Sequence, residues 1–212
     1  NTLDFSTFIQ DRKICLVNLA RSTLGYADAN FLGALLMVKL LEALRLRVRQ
    51  GIATHGFHLY LDDVPSLLSK TFLDLLRDSG HFGVSIVVAH RYLAEISPLV
   101  QAALMSHAGN VIAFRLTGSD AMRLESEFAP IFRARDMINL GTREFYIKMT
   151  IAGTTFDPFS AETLQLLTPP HPSWKVDIIG QSRKNYARPL SEVEQELAGQ
   201  EQADSFSLSK GL

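Results

Sequence analysis

Cysteine occurs once in the 212-residue chain, as Cys15 in the run ICLV. One thiol excludes a disulfide framework and a cysteine-based zinc site, and it suits a reducing compartment. The six histidines (His55, His58, His81, His90, His107 and His171) show none of the paired spacing that metal ligation uses. No apolar run reaches the about 18 to 20 residues that a membrane span needs, and no stretch has the make-up of a signal peptide. A charge excess is missing too. With 21 basic and 22 acidic residues the net charge is −1, which excludes a basic clamp holding nucleic acid by bulk electrostatics. Contact with DNA would have to be local, or multiplied by assembly into a ring. The phosphate-cradling loop GxxxxGK followed by Ser or Thr is absent from the sequence. So are GxSxG, HExxH, GxGxxG and any Cys–His arrangement, which leaves other enzyme classes without support.

What is present is the material of an α/β domain. The composition is globular, with 47% apolar, 20% charged and 9% aromatic residues, enough for one sizeable core. The first residue is Asn1 rather than Met, and the chain is expected to belong to a longer polypeptide. KICLVN (13–18) reads as a buried strand. The spacing over 29–50 predicts a helix with Lys39, Glu42, Arg45 and Arg49 as its wet stripe. FHLYLDD (57–63) is a second strand. A helix over 66–79 follows, with Leu68, Phe72, Leu75 and Leu76 on one face and Gly80 at its end.

VSIVVA (84–89) is a third strand, and Ser97–Pro98 opens a helix running to His107. VIAFR (111–115) is a fourth strand. Ser119 is expected to cap a helix that Pro130 stops, and a short helix covers 133–140. EFYIKMTIAG and TTFDPF make an antiparallel hairpin at the sheet edge. The composition then shifts, so that 1–168 reads as the domain. Residues 169–212 read as a linker, a short polar helix (189–199) and a loose tail.

Four rounds of strand and helix argue for a mainly parallel sheet covered by helices on both faces. Ligands in such sheets bind beyond the carboxyl ends of the strands. Those ends supply Asn18, Asp62–Asp63, His90–Arg91 and Arg115, so four strands deliver polar groups to one edge.

An acidic residue directly after apolar strand residues can hold a magnesium ion, and a second carboxylate can orient or deprotonate an attacking water. Asp62 would take the first role and Asp63 the second. The alternative is that both cap the helix near Ser66 through the Pro65 turn. Arg115 is either a stabiliser of phosphoryl charge in a neighbouring subunit's site or an ion-pair partner of Asp120 or Glu125. Arg91 is either a γ-phosphate sensor or a solvated loop cation. Lys39, Arg45, Arg47 and Arg49 offer either a nucleic-acid contact or a solvated helix face.

ICLVNLARSTLG, FLGALLMVKLLEALRLR, FHLYLDDVPSLL, VSIVVAHRYLAEI, NVIAFRLTGSDAMRLESEFAP and EFYIKMTIAG follow one another in a telling order. Together they resemble the C-terminal half of the HerA–FtsK-type ATPase domain. The likeness is closest to bacterial conjugative DNA-transfer coupling ATPases of type IV secretion and their HerA-like relatives. QSRKNYARPLSEVEQEL resembles the same proteins' C-terminal extension.

The resemblance implies a RecA-like P-loop fold lacking its Walker A half, which is expected upstream. It further implies ATP and Mg2+ as cofactors, a hexameric ring with DNA in its channel, a cytoplasmic location and membrane-embedded secretion partners. Asp62 matches the magnesium-organising Walker B aspartate, and Asp63 stands where the family mostly has a catalytic glutamate. Arg91 replaces the usual glutamine of the sensor motif, here AHR, and Arg115 matches an arginine acting across the subunit interface. Asn18 and His90 join the nucleotide-binding edge. Two positions depart from the family. Asp63 is one methylene shorter than glutamate, and Arg91 cannot accept a hydrogen bond as glutamine can. Both departures keep open a non-hydrolysing assembly or regulatory subunit.

Overall fold

The structure is a computed structural model that describes residues 4–19, 21–52, 56–63, 67, 69–166 and 172–209. It divides into a unit of Phe5–Leu166 and a second unit of Asn1–Asp4 with Leu167–Leu212. In the first unit, α1 (Phe5–Gln10) and α2 (Arg21–Leu24) precede the long α3 (Tyr26–Arg49). Then come β1 (Phe57–Asp62), α4 (Lys70–Phe82), β2 (Val84–Ala89) and α5 (Pro98–His107). The unit continues with β3 (Asn110–Ala113), α6 (Gly118–Phe128) and α7 (Ala134–Ile138), and finishes with β4 (Glu144–Ile151), β5 (Thr154–Thr155) and β6 (Phe159–Glu162).

Helix α4 forms because Phe72, Leu75 and Leu76 recur at helical spacing and all three bury. Gly83 ends it with φ 63, a left-handed position suited to glycine, and its N–H bonds back to Gly80 and Ser79 carbonyls. Helix α3 presents Met37, Leu40, Leu41 and Leu44 inward, while Lys39, Glu42, Arg45 and Arg49 form the expected wet stripe. Arg47 is the correction there. It is only 4% exposed and offers no surface to nucleic acid.

β1 and β2 are parallel, in register from Phe57 opposite Val84 to Asp62 opposite Ala89. Their inward residues Leu61, Val84, Ile86 and Val88 join α3, α4 and α5 in one core, where Leu44, Phe72 and Leu75 are fully buried. Each such side chain contributes about 1.5–3 kcal/mol. A second core lies where β3 and β4 meet α6 and α7, around Ala113, Ala121, Leu124, Phe128 and Met137.

The expected mainly parallel sheet is thus corrected. Among the described residues there is one parallel pair, and a larger antiparallel sheet in which β4 pairs β3, β5 and β6. Coverage on both faces is corrected as well. The helices pack on the inward residues only, leaving Tyr60 70% and Val87 48% exposed on the other side of the parallel pair.

Residues 13–18 are not a strand. The stretch is exposed and lines, with β1, a cavity of about 1330 Å³, and among the described residues it joins no β-ladder. The cap of α6 is Thr117, whose hydroxyl accepts the Asp120 N–H at 3.4 Å, rather than Ser119. Ser97 and Pro98 open α5 as expected, and β2 keeps its expected bounds. Helix α4 starts later than expected and runs to Phe82, while Leu68, Pro65 and Ser66 lie outside the described residues. In the second unit the short polar helix and loose tail give way to α8 (Lys175–Tyr186) and α9 (Leu190–Ser209). Among the described residues no helix is long and apolar enough to cross a membrane.

Candidate functional site at the strand ends

β1 delivers Asp62, exposed, at its carboxyl end. The next residue turns sharply: Asp63 has φ 50, a left-handed conformation that aspartate tolerates better than bulkier residues. Its N–H donates to the Ala89 carbonyl at 3.0 Å, which carries the ladder one step past the Asp62–Ala89 pair. From β2, Arg91 reaches back and places Nη2 3.2 Å from Asp63 Oδ2. The structure therefore joins two sequence-predicted residues from neighbouring strands.

Asn18 joins Asp62 and Asp63 in lining the cavity that separates 13–19 from β1. The lining of that cavity is mainly apolar, including Phe8, Leu16, Met37 and Leu61, and it carries Arg12 and Lys13 as well as the two carboxylates.

His90 is half-buried between these residues and α6, and its Nδ1 has no hydrogen-bond partner among the described residues. Burial holds its pKa below the ordinary 6.5, opposed in part by the carboxylates of Asp120 and Glu95. Arg115 lies past the end of β3, exposed, and makes no ion pair among the described residues. Its expected partner Asp120 is turned elsewhere. Asp120 is 3% exposed and accepts the Leu93 N–H at 3.2 Å. The structure does not bring Arg115 into contact with the Asp63–Arg91 pair.

Among the described residues no three His, Cys, Asp or Glu side chains gather to cage a metal. Asp62 offers a single exposed carboxylate, and a magnesium ion that keeps most of its waters needs only one or two. Asp62 is the exposed carboxylate that would hold it.

Sequence reasoning missed the polar contacts that hold the turn after Arg91. Gln101 Nε2 donates to the Leu93 carbonyl at 2.6 Å and to the Ile96 carbonyl at 2.7 Å. Arg123 Nη1 donates to Gln101 Oε1 at 3.3 Å. In the sequence Asp120 reads as an ordinary helix-start acid, and only its burial in the structure marks it out.

No protein-family model matches the chain, and no curated protein matches it. In structure it is similar to B204, the DNA-packaging ATPase from Sulfolobus turreted icosahedral virus, with a TM-score of 0.50 and 12% identity. That match covers 78% of this chain and 73% of the other. The genome-packaging NTPase B204 from Sulfolobus turreted icosahedral virus 2, solved with AMPPCP and with ATP-gammaS, matches at TM-scores of 0.46 and 0.45 and 15% identity. Those matches cover 62% and 61% of this chain and 62% of each neighbour's length, under two thirds. Among the described residues the chain has a mixed α/β fold, with one parallel and one antiparallel sheet. The likeness to the first virus's B204 is one of fold.

Proposed function

We propose that the chain is the Walker B and sensor-bearing half of an ATP-driven DNA motor of the HerA–FtsK type, closest to the conjugative DNA-transfer ATPases. The observation that carries this is the Asp63–Arg91 pair beside exposed Asp62, at the carboxyl ends of two adjacent parallel strands. The fold neighbour B204 packages DNA, which is consistent with a motor acting on DNA.

In this reading Asp62 would hold Mg2+ arriving with ATP, which would supply charge neutralisation for phosphoryl transfer. Asp63 orients the attacking water and accepts its proton. While Arg91 is on Asp63, part of that carboxylate is engaged. A γ-phosphate competes for the guanidinium, and its capture frees Asp63 to face water. Asn18, on the exposed stretch beside β1, and His90, directly after β2, would contact the nucleotide. Arg115, exposed and unpaired by any described carboxylate, is available to the site of a neighbouring subunit in a hexameric ring.

The proposal includes a Walker A half upstream. Among the described residues β2 pairs only with β1 and β3 only with β4, so each has an edge open to another strand. It also includes DNA in the ring channel, a cytoplasmic location and membrane-embedded secretion partners reached through other regions.

The test is Mg2+-dependent ATP turnover by the intact protein against Asp62→Ala, with both melted to show that they fold. Turnover lost in the variant supports the reading; equal background turnover in both sinks it. That second result would favour a non-hydrolysing ring subunit. Two observations already point there: Arg91 occupies Asp63, and Asp63 is shorter than the usual glutamate.

A further inference from the structure

Helices α6 and α7 each carry an aspartate at the third helical position, and the two behave differently. Asp136 of α7 turns back to its own helix start, accepting the Arg133 N–H at 2.8 Å, as an acid at this position ordinarily does. Asp120 of α6 leaves its own cap to Thr117 and reaches across the fold to the Leu93 N–H, 27 residues away in sequence. It is 3% exposed, and its Oδ1 has no hydrogen-bond partner among the described residues. Burying a carboxylate for one bond to a neutral amide is a poor way to stabilise a fold.

Leu93 is held on both sides of its backbone. Asp120 takes its N–H and Gln101 takes its carbonyl, with Gln101 steadied in turn by Arg123 of α6. The side chains of this turn are divided between the two cores. Leu93, 5% exposed, sits in the β3–α6 core, and Ile96, 2% exposed, sits in the α3–α4 core. Arg91 lies two residues before the clamped amide. Arg115 lies two residues before the Thr117 cap of the helix that supplies the clamp.

We propose that Asp120 is a positioning residue that fixes the Arg91-bearing turn to the helix following Arg115, so that the two arginines are held as one unit. The assignment of a nucleotide role to those arginines rests on the function proposed above; the clamp itself does not. Its consequence is specific. Without it, Arg91 keeps its charge but loses its fixed reach toward Asp63 and toward a phosphate.

The experiment uses the intact protein with Asp120→Leu and Asp120→Asn. Leucine fills the buried space without an acceptor, and asparagine keeps an oxygen for the Leu93 N–H. Amide hydrogen exchange over Arg91–Ile96 and ATP turnover are both measured, with thermal melting as the control for folding. We expect Asp120→Leu to stay folded, melting lower because the buried Leu93 N–H is left without its acceptor, while the Leu93 amide exchanges about fivefold faster or more. Its kcat should fall by up to about 100-fold, more than its KM for ATP changes. Asp120→Asn should restore both protection and kcat. Unchanged exchange in folded Asp120→Leu overturns the clamp. So does a loss of melting temperature and kcat together that asparagine fails to rescue. Wild-type protein that exchanges as expected but never turns over ATP leaves the clamp standing and removes the motor reading.

Discussion

Arg91 Nη2 stands 3.2 Å from Asp63 Oδ2, tying the ends of β2 and β1 together side chain to side chain. The backbone prepares this contact, since Asp62 lies opposite Ala89 and the Asp63 N–H reaches the Ala89 carbonyl. The guanidinium is 73% exposed and the carboxylate 37%, so water screens much of the attraction. A pair this exposed can be exchanged for another anion at small cost, which suits a switch better than a strut.

Arg91→Ala should therefore change unfolding free energy by no more than about 1 kcal/mol. Its effect belongs on ligand affinity instead: ATP binding should weaken while the melting curve stays in place. Titration of labelled nucleotide alongside differential scanning calorimetry checks both. A large drop in melting temperature with unaltered nucleotide affinity would assign the pair a structural role only.

Asp63 makes a separate prediction through its backbone. At φ 50 a β-branched side chain crowds its own carbonyl, whereas glycine is unstrained. Asp63→Val should cost about 1–2 kcal/mol more than Asp63→Gly in urea unfolding. Equal midpoints for the two variants would mean that the turn relaxes out of the left-handed region.

Much of this was legible before any coordinates. VSIVVA, the Ser97–Pro98 start and the Phe72–Leu75–Leu76 face each follow from local rules, and each stands where it was expected. Residues 13–18 show where such rules fail. ICLV has strand propensity, but a strand needs a partner, and propensity says nothing about whether one is in reach. The sequence put Asp63 and Arg91 at one sheet edge but not in contact; the parallel pairing of β1 with β2 brings them together. The Asp120–Leu93 bond could not be anticipated, because it depends on two cores meeting at one turn, and no spacing in the sequence encodes that meeting. Thr117 and Ser119 are both good caps, and only the path of the chain chooses between them.

The two faces of the parallel pair should answer truncation differently. Phe72 is fully buried, so Phe72→Ala should cost about 3–5 kcal/mol. Tyr60, 70% exposed, should tolerate serine with a change below about 1 kcal/mol. Denaturant midpoints measure both. A Tyr60→Ser penalty near that of Phe72→Ala would show that the open face is covered in solution.

His90 gives a pH dependence whose sign can be worked out. Its folded pKa lies below 6.5 through burial, against the pull of Asp120 on α6 and Glu95 in the adjoining turn. As pH falls through 6.5, the unfolded chain takes up the proton before the folded one does. The stabilisation is therefore present above 6.5 and is lost as pH falls toward the lower folded value. Urea unfolding at neutral and mildly acidic pH should show this slope in the wild type and a shallower one in His90→Gln. Parallel slopes would place the acid sensitivity elsewhere.

Cys15 has a practical consequence that follows from the exposed apolar stretch around it. The residue is exposed, although partial burial beside the cavity pushes its thiol pKa up and slows oxidation, and Ile14 and Leu16 beside it are 87% and 80% exposed. Two chains that meet along such a ribbon bring like thiols together, and oxidation then makes a passing encounter covalent. Left in air, the purified protein is expected to gather a dimer band on a non-reducing gel that dithiothreitol removes. Cys15→Ser should keep it single, and the same substitution gives a preparation fit for storage.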